Sequence, residues 1–338
     1  HGRLGGFENI DLGNEVSLDQ SLSQIAEVKR DFPEEILVVS IRGETNRKKW
    51  QQLARETQSA GADMIEVMHS CPHDISQFEG GEKAVADELS EITSWVSEVT
   101  RVPLIVKLSP NVTDIRLMAR SAEAGGAQGI SATNTFRSIL GVDLDSFRPI
   151  PSVGSYSALG GYSGPPVKPI VLRFISELAT DPDLSIPIAA IGGVETWKDA
   201  AEYLLLGSSI VQVGTAVMFY GFRIIEDVVE GLEDYLSAKN LESVSSLVGA
   251  SLPYLTAQPE LSRSYRVKAK IDLDRCVRCL RCYIACRDGG YEAIEVEENK
   301  TPVVLEEECV GCSLCSHVCP IEGVIRMEES GSMPENGV

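Results

Sequence analysis

No uninterrupted apolar run in this sequence approaches the roughly 20 residues that a bilayer-spanning helix needs, and the chain does not open on a charged-then-apolar signal segment. Neither a membrane span nor secretion is expected, and the expected address is the cytoplasm. Basic residues are scarce: 30 Lys and Arg stand against 50 Asp and Glu, a formal net charge of −20. Such a surface repels nucleic acid and anionic lipid before any specific contact forms, so neither is expected as a partner, and a basic protein surface is the better match. No G-x-G-x-x-G fingerprint follows any strand pattern, which argues against a doubly wound nucleotide-binding sheet. Aromatics make up only 6%, but the apolar fraction is that of an ordinary globular protein, and 338 residues suffice for one large domain and a small one. The first residue is His1 rather than Met, and a processed or truncated chain is expected.

From Asp31 to about Thr215, short β-branched apolar runs alternate with longer amphipathic segments, the pattern of a parallel sheet with crossover helices. Six strand runs are expected: Ile36–Ile41, Met64–Met68, Leu104–Leu108, Gly129–Thr133, Ile188–Ile191 and Ser209–Val213. Helices are expected at Lys48–Ala60, Glu82–Val99, Asp114–Ala124, Pro169–Leu178 and Thr196–Leu205, and further on at Gly221–Leu236 and Leu241–Leu247. Each strand run ends in small or polar residues, such as Ser109-Pro110-Asn111, Asn134-Thr135, Gly192-Gly193 and Gly214-Thr215. That is where a (β/α)₈ TIM barrel carries its chemistry. The expected fold is therefore an α/β barrel lacking its first two βα units, since the opening His1–Asn14 shows no obvious strand and is too short to hold them. Beyond about Val267 the composition changes, which divides the chain into a barrel domain (1–262), a small α+β domain (263–330) and a tail (331–338). Rich in Gly, Ser, Pro and acid from Glu328 onward, that tail is expected to be disordered.

Eight of the 9 cysteines fall in two copies of C-x2-C-x2-C-x3-C: Cys276, Cys279, Cys282, Cys286, then Cys309, Cys312, Cys315, Cys319. Three thiolates spaced by two residues can meet three corners of an iron–sulfur cube if the backbone wraps round it, and the fourth cysteine of each run reaches the other cube. One [4Fe–4S] cluster is thus expected on Cys276, Cys279, Cys282 and Cys319, and a second on Cys309, Cys312, Cys315 and Cys286. Structural zinc prefers two separated C-x2-C pairs, and disulfides need an oxidising compartment. Such clusters move one electron at a time. A barrel fused to them needs a group that accepts single electrons and delivers pairs, and flavin is the common one.

The ninth cysteine, Cys71, follows the strand run Met64–Met68 at the expected rim. Alone it reads first as a buried inert thiol, the usual fate of a lone cysteine. Lys107 ends an apolar strand, where an ammonium is costly without a negative partner. Asn9 offers the donor and acceptor of an amide, but fits a helix cap or a turn equally. Gly160-Gly161-Tyr162-Ser163-Gly164, Gly192-Gly193 and Gly214-Thr215 could cradle a phosphate with backbone N–H groups, although bare glycine pairs are weak evidence.

Ser70-Cys71-Pro72-His73, Val106-Lys107-Leu108-Ser109-Pro110-Asn111-Val112-Thr113-Asp114, Ala132-Thr133-Asn134-Thr135 and the doubled cysteine motif together resemble the flavin/iron–sulfur portion of dihydropyrimidine dehydrogenases, in order from about Phe7 to Met327. Single barrel motifs are shared with dihydroorotate dehydrogenases. The resemblance implies an FMN-binding barrel with a ferredoxin-like 2[4Fe–4S] domain that reduces the C5–C6 double bond of uracil or thymine, hydride going to C6 and a proton to C5. It implies Cys71 as the proton donor and Asn9, Asn134 and Thr135 as pyrimidine contacts. Lys107, Asn134, Gly164, Gly192, Gly193, Gly214 and Thr215 are implied as FMN contacts. A partner subunit that binds FAD and oxidises NAD(P)H is implied, since this chain has no such fingerprint, and an oligomer is expected. Three departures stand out: Met68 replaces a substrate-binding asparagine, Asp74–Glu82 replaces a Gly- and Met-rich lid, and the flavin-contacting lysine of the second strand has no counterpart. His69 and His73 flank Cys71 and could tune its pKa or simply be solvated. The alternatives are a dihydroorotate-type or other cyclic C=C oxidoreductase, and an electron-carrier module without flavin chemistry.

Overall fold

The computed structural model describes residues 5–10, 16–69, 81–262 and 265–332. Two compact units emerge, His1–Leu255 and Thr256–Val338, so the division falls slightly earlier than the expected 262/263 boundary. The 3₁₀ turn Gln258–Glu260 belongs to the second unit's side.

The first unit runs β1 (Phe7–Asn9), α1 (Leu18–Asp31), β2 (Val38–Ile41), α2 (Arg47–Ser59), β3 (Met64–Val67), α3 (Gly81–Ser97), β4 (Leu104–Leu108), α4 (Ile115–Ala124), β5 (Gly129–Ala132) and then three short strands, β6 (Phe136–Ser138), β7 (Gly141–Asp143) and β8 (Arg148–Ile150). It continues with β9 (Gly160–Ser163), α5 (Lys168–Ala179), β10 (Ile188–Ile191), α6 (Trp197–Leu205), β11 (Ile210–Gln212), α7 (Thr215–Tyr220) and α8 (Arg223–Lys239). The six expected strand runs form one parallel sheet in the order β2-β3-β4-β5-β10-β11. It is a curled, partial barrel. Among the described residues its two edge strands, β2 and β11, pair with no further strand.

Central strands of such a sheet are covered on both faces, which is why every residue of β5 is buried and why periodicity alone could not separate its faces. Trp50, Phe174 and Tyr203 from three different helices fill the layer outside the sheet. Helix starts are fixed by local chemistry. Asn46 accepts from the Lys49 N–H at the head of α2, Asp114 caps α4, and Thr196 with Asp199 forms a capping box on α6. Each cap ends the loop that leaves the carboxyl end of a strand, so the caps set where the rim residues stand.

Four expectations are corrected in this unit. The opening segment does contain a strand, β1, which pairs antiparallel with β9 (Phe7↔Ser163, Asn9↔Gly161), while β9 also pairs with β6. Three residues are too few for a period-2 signal, and the partner lies far along the chain. Helix α1 was not anticipated: Ser17 and Gln20 form its capping box and Leu18, Leu22, Ile25 and Val28 share one face, although none of its residues is buried. The helix expected at Gly221–Leu236 is α8, which starts two residues later because Gly221, whose φ of +79° leaves the helical region, ends a separate and unexpected α7 just before it. Leu241–Leu247 holds only a 3₁₀ turn, Val244–Ser246, because Asn240 in the left-handed conformation ends α8.

The second unit contains β12 (Tyr265–Ile271), α9 (Arg281–Asp288), β13 (Ile294–Glu297), β14 (Thr301–Val304), α10 (Leu314–His317) and β15 (Ile325–Ser332). It is built of two antiparallel ladders, β12 with β15 and β13 with β14. Its small core gathers Ala269, Ala293, Ile294, Val324 and Ile325 round the buried Cys282, Cys286 and Cys315. The tail expected to be disordered from Glu328 is, as far as Ser332, the end of β15, held by its ladder with β12; residues 333–338 lie outside the described ones. Among the described residues, no helix is long and apolar enough to cross a membrane.

Candidate active site and cluster sites

A cavity of about 170 Å³ opens at the carboxyl ends of the parallel strands. Lys107 enters it from β4, Thr133, Asn134 and Thr135 from the end of β5, Gly192 and Gly193 from the end of β10, and Gln212, Gly214 and Thr215 from the end of β11. The antiparallel sheet supplies Asn9, Phe136, Tyr162 and Ser163, with Gly164 just past β9. All nine expected flavin and substrate contacts among the described residues, Asn9, Lys107, Asn134, Thr135, Gly164, Gly192, Gly193, Gly214 and Thr215, therefore line one space. Cys71, with Ser70, Pro72 and His73, lies outside the described residues. Met68 sits half-buried just beyond β3 and does not line the cavity.

Backbone closeness explains two of the glycines. Gly193 has φ +69°, and a Cβ there would stand 2.8 Å from the Gly164 carbonyl oxygen and 3.0 Å from Pro165 Cα. Gly164, at φ +96°, faces the Gly6 backbone at 3.3 Å in the same way. Two loops thus press backbone on backbone at the cavity wall. Behind them Lys168 Nζ bonds Asp199 at 2.5 Å and Glu202 at 2.8 Å. Burial works against the Lys168 charge, but these hydrogen bonds outweigh it and hold its pKa above the ordinary lysine range. Burial likewise opposes the Asp199 charge, and bonds from Lys168, the Glu195 and Thr196 N–H groups and the Thr196 hydroxyl hold its carboxyl below the usual range.

Polar groups on the rim are positioned by hydrogen bonds. The Thr215 hydroxyl donates to Ser163 Oγ at 2.8 Å, tying α7 to β9. Asn134 Oδ1 accepts from the Thr135 N–H at 2.8 Å. Asn111 braces the same turn, its amide donating to the Thr135 carbonyl and accepting from the Arg137 N–H. One buried hydroxyl that lines the cavity, Thr133 Oγ1, has no hydrogen-bond partner among the described residues. Below the rim lies a polar layer. Glu66 on β3, only 5% exposed, sits 3.5 Å from Lys107 Nζ, and Gln212 Nε2 donates to Ser131 Oγ at 3.1 Å. Glu66 is the negative partner that the Lys107 ammonium requires. Sequence reading missed Glu66, Thr133, Gln212 and Tyr162. The first and third could have been found as polar residues interrupting β-branched strand runs.

In the second unit the cysteines surround two apolar cavities. One is lined by Cys276, Cys279, Cys282 and Cys319, with Ile271, Leu280, Pro302 and Val324 among its walls; the other by Cys286, Cys309, Cys312 and Cys315, with Ala293, Ile294 and Met327. The fourth cysteine of each run has crossed to the other's cavity. Local backbone makes the wrap: Arg278 and Leu280 in the first motif, and Gly311 and Ser313 at the same two places in the second, all have φ between 55° and 72°. Cys282 and Cys286 both lie on α9, and Cys315 lies on α10 with Cys319 just beyond it. The Arg278 N–H approaches Cys276 Sγ at 3.4 Å and the Ala269 N–H approaches Cys309 Sγ at 3.5 Å. Burial pushes the Cys315 thiol up to about 11 and raises Cys282 as well. Among the described residues no three His, Cys, Asp or Glu side chains gather tightly enough to hold one metal ion. Four thiols line each cavity, a donor set that suits an iron–sulfur cube.

The dihydroorotate dehydrogenase family model matches residues 6–236, and a 4Fe-4S dicluster domain model matches residues 269–327. The chain belongs to the dihydroorotate dehydrogenase family. It is 44% identical to the NAD-dependent dihydropyrimidine dehydrogenase subunit PreA of Escherichia coli K12, over 96% of this chain and 79% of that protein. Similarity to the chloroplastic dihydropyrimidine dehydrogenase (NADP(+)) of Arabidopsis thaliana reaches 36% over 76% of this chain and 62% of that one. The catalytic subunit of dihydroorotate dehydrogenase B (NAD(+)) from Pyrococcus abyssi is 41% identical over 68% of this chain and 73% of its own length. The match to PreA spans both units. This member of the family is an oxidoreductase acting on CH–CH groups, of the dihydropyrimidine dehydrogenase type, and its cofactors are FMN and two [4Fe–4S] clusters. The residues fit both: a glycine-walled cradle, an unpartnered threonine hydroxyl and a lysine at the rim, and four thiols at each cluster cavity.

Proposed function

We propose that this chain reduces the C5–C6 double bond of uracil or thymine, in the cytoplasm, as part of an oligomer with a subunit that binds FAD and oxidises NAD(P)H. One observation carries the reading: amide, hydroxyl, ammonium and glycine backbone groups share one rim cavity in a chain that also folds eight cysteines round two cluster cavities. FMN, when bound, supplies the hydride for C6. The Asn9 and Asn134 amides and the Thr135 hydroxyl donate to and accept from the N–H and C=O edge of the pyrimidine. Gly192, Gly193, Gly214 and Thr215 offer backbone N–H groups to the FMN phosphate, with no Cβ on the three glycines to hold it off. Lys107 holds a positive charge on the cavity floor against negative charge acquired above it. Cys71 gives its Sγ proton to C5, a role suited to a thiol near neutral pH, and regains one from solvent.

A dihydroorotate-type substrate is the second reading, favoured by Met68 standing in place of the family's asparagine. A site built to pair a polar edge discriminates strongly when one partner is lost. Anaerobic reconstitution with an NAD(P)H-oxidising flavoprotein, followed by product analysis with uracil, thymine and orotate, separates the two. Turnover of uracil or thymine is expected; turnover of orotate alone would transfer the assignment to the second reading.

A further inference from the structure

The two cysteine motifs fold alike but carry opposite charge. In the first, Arg275, Arg278 and Arg281 occupy the places that Glu308, Gly311 and Leu314 hold in the second. All three arginines are exposed, and the Arg275 guanidinium bonds the Glu322 backbone carbonyl at 3.0 Å rather than a carboxylate. Among the described residues no carboxylate pairs with Arg278 or Arg281, since neither has any hydrogen bond or ion pair from its side chain. Asp272 precedes the loop and spends its carboxylate on the Asp274 and Arg275 N–H groups, and the exposed Asp274 is the one other carboxylate between it and Cys286, against three arginines in the same stretch. Round the second motif stand the exposed Glu306, Glu307 and Glu308, with Lys268 Nζ 3.9 Å from each of the first two, so the three carboxylates outnumber the one cation beside them. Cys279, the cluster ligand that the arginines straddle, is itself exposed, as is Val277; Cys312 and Val310 are exposed at the same places of the second motif, so the two faces differ in charge and not in access. A positive, partly apolar face with a redox ligand at its centre is thus set in a chain of net charge −20.

We propose that this face is a docking surface for an acidic electron-carrying protein, and that electrons enter the chain through the cluster of Cys276, Cys279, Cys282 and Cys319. The proposal rests on the oxidoreductase reading above and names where its partner binds. Charge complementarity argues for it: a chain of net charge −20 repels an acidic carrier on average, while here three exposed guanidinium groups attract it and turn its redox centre toward the Cys279 ligand. The carrier loses one electron and the cluster gains it. At this step no bond forms or breaks and no proton moves; one NAD(P)H, oxidised on the partner to NAD(P)+ and a proton, replaces the electrons of two such transfers. The Glu306–Glu308 stretch repels the same carrier from the twin cluster, so entry is directed to one cluster of the pair.

The test uses the whole chain, anaerobically loaded with iron, sulfide and FMN, and chemically reduced flavodoxin as the acidic probe. Cluster bleaching is followed by stopped flow. The bimolecular rate is expected to fall about tenfold between about 0.01 M and about 0.15 M salt. Arg281→Glu alone should lower it severalfold, and Arg278→Glu with Arg281→Glu at least tenfold. Glu306→Lys with Glu307→Lys should not lower it. Variants are scored once iron and sulfide content matches the parent, with dithionite reduction as the charge-independent reference. A rate indifferent to salt and to both arginine reversals, or no reduction by flavodoxin where dithionite succeeds, overturns the docking face. Charge-dependent bleaching without any pyrimidine turnover would leave the docking face standing and remove the pyrimidine reading instead.

Discussion

Replacing Lys107 by Met should destabilise the first unit through Glu66, not through Lys107 itself. The pair is enclosed: side-chain exposure is 7% for Glu66 and 18% for Lys107, and their charged atoms are 3.5 Å apart. Among the described residues the ammonium is the carboxylate's one ionic partner. Removing one member of a buried pair leaves an uncompensated charge, which costs about 3–5 kcal/mol. Because the lysine is partly open and the contact is an ion pair longer than a hydrogen bond, the low end, about 3 kcal/mol, is the working value. In a unit of this size that lowers the melting temperature by about 6–12 °C. Changing Glu66→Leu in the same chain removes the orphan charge, so the double variant should return to within about 1 kcal/mol of the parent, as apolar replacements of buried pairs do. Both variants should bind FMN weakly, since each lacks the cavity's cation. Scanning calorimetry of the apoprotein reads the stability, and flavin fluorescence titration reads the binding. A Lys107→Met protein as stable as the parent, or a double variant no better than the single, would refute the claim that the two charges are buried as a unit.

Gly193→Ala forces a left-handed residue to carry a Cβ 2.8 Å from the Gly164 carbonyl. The conformation alone costs about 1–2 kcal/mol, and FMN affinity should drop at least tenfold in equilibrium dialysis. Cys286→Ser should cost the cluster of Cys309, Cys312 and Cys315 and spare that of Cys276, Cys279, Cys282 and Cys319; electron paramagnetic resonance of the reduced protein should lose one of two coupled signals, and loss of the other cluster would deny the crossing. Cys71→Ala should slow pyrimidine reduction while flavin and iron content stay at parent levels, and unchanged turnover would remove Cys71 from the mechanism. Hydrogen bonds from Arg120 hold the buried Asp181 carboxyl below the usual range, so its stabilising effect is present above the unfolded carboxylate pKa and disappears as pH falls through the lower folded value. Asp181→Asn should therefore flatten the acid limb of the stability curve below about pH 4, measured by denaturant unfolding.

The parallel sheet was legible because its crossover helices bury both faces: Ile188–Ile191 and Leu104–Leu108 read as apolar runs at the bounds they take in the structure. Strand β1 was not, because its pairing with Gly160–Ser163 is a long-range contact that three residues cannot announce. Helix α1, by contrast, carries local signals, the Ser17–Gln20 capping box and Leu18, Leu22, Ile25 and Val28 on one face, but buries none of them fully. At the site, glycines and amides were visible because strand ends can be counted. What could not be seen was the register between neighbouring strands. Glu66 and Lys107 are far apart in sequence and meet only because β3 and β4 are neighbours with Val67 opposite Val106.

Net charge is an average, and the cluster unit shows how that average misleads. A chain of −20 predicts a basic partner, yet the positive charges that matter most are those within a few residues of an exposed redox ligand, because screening confines an exposed charge's influence to about 8–10 Å. Along the chain Arg278 adjoins Cys279 and Arg281 stands two residues on, whereas Gly311 and Ser313 adjoin Cys312 and Glu308 stands four residues before it. Two clusters held by the same backbone in the same fold therefore present opposite faces to an approaching carrier. The asymmetry is written in the x positions of the cysteine motif, which ligation leaves free to vary. Since the eight cysteines fix only where the iron sits, it is the residues between them that decide which protein can reach it.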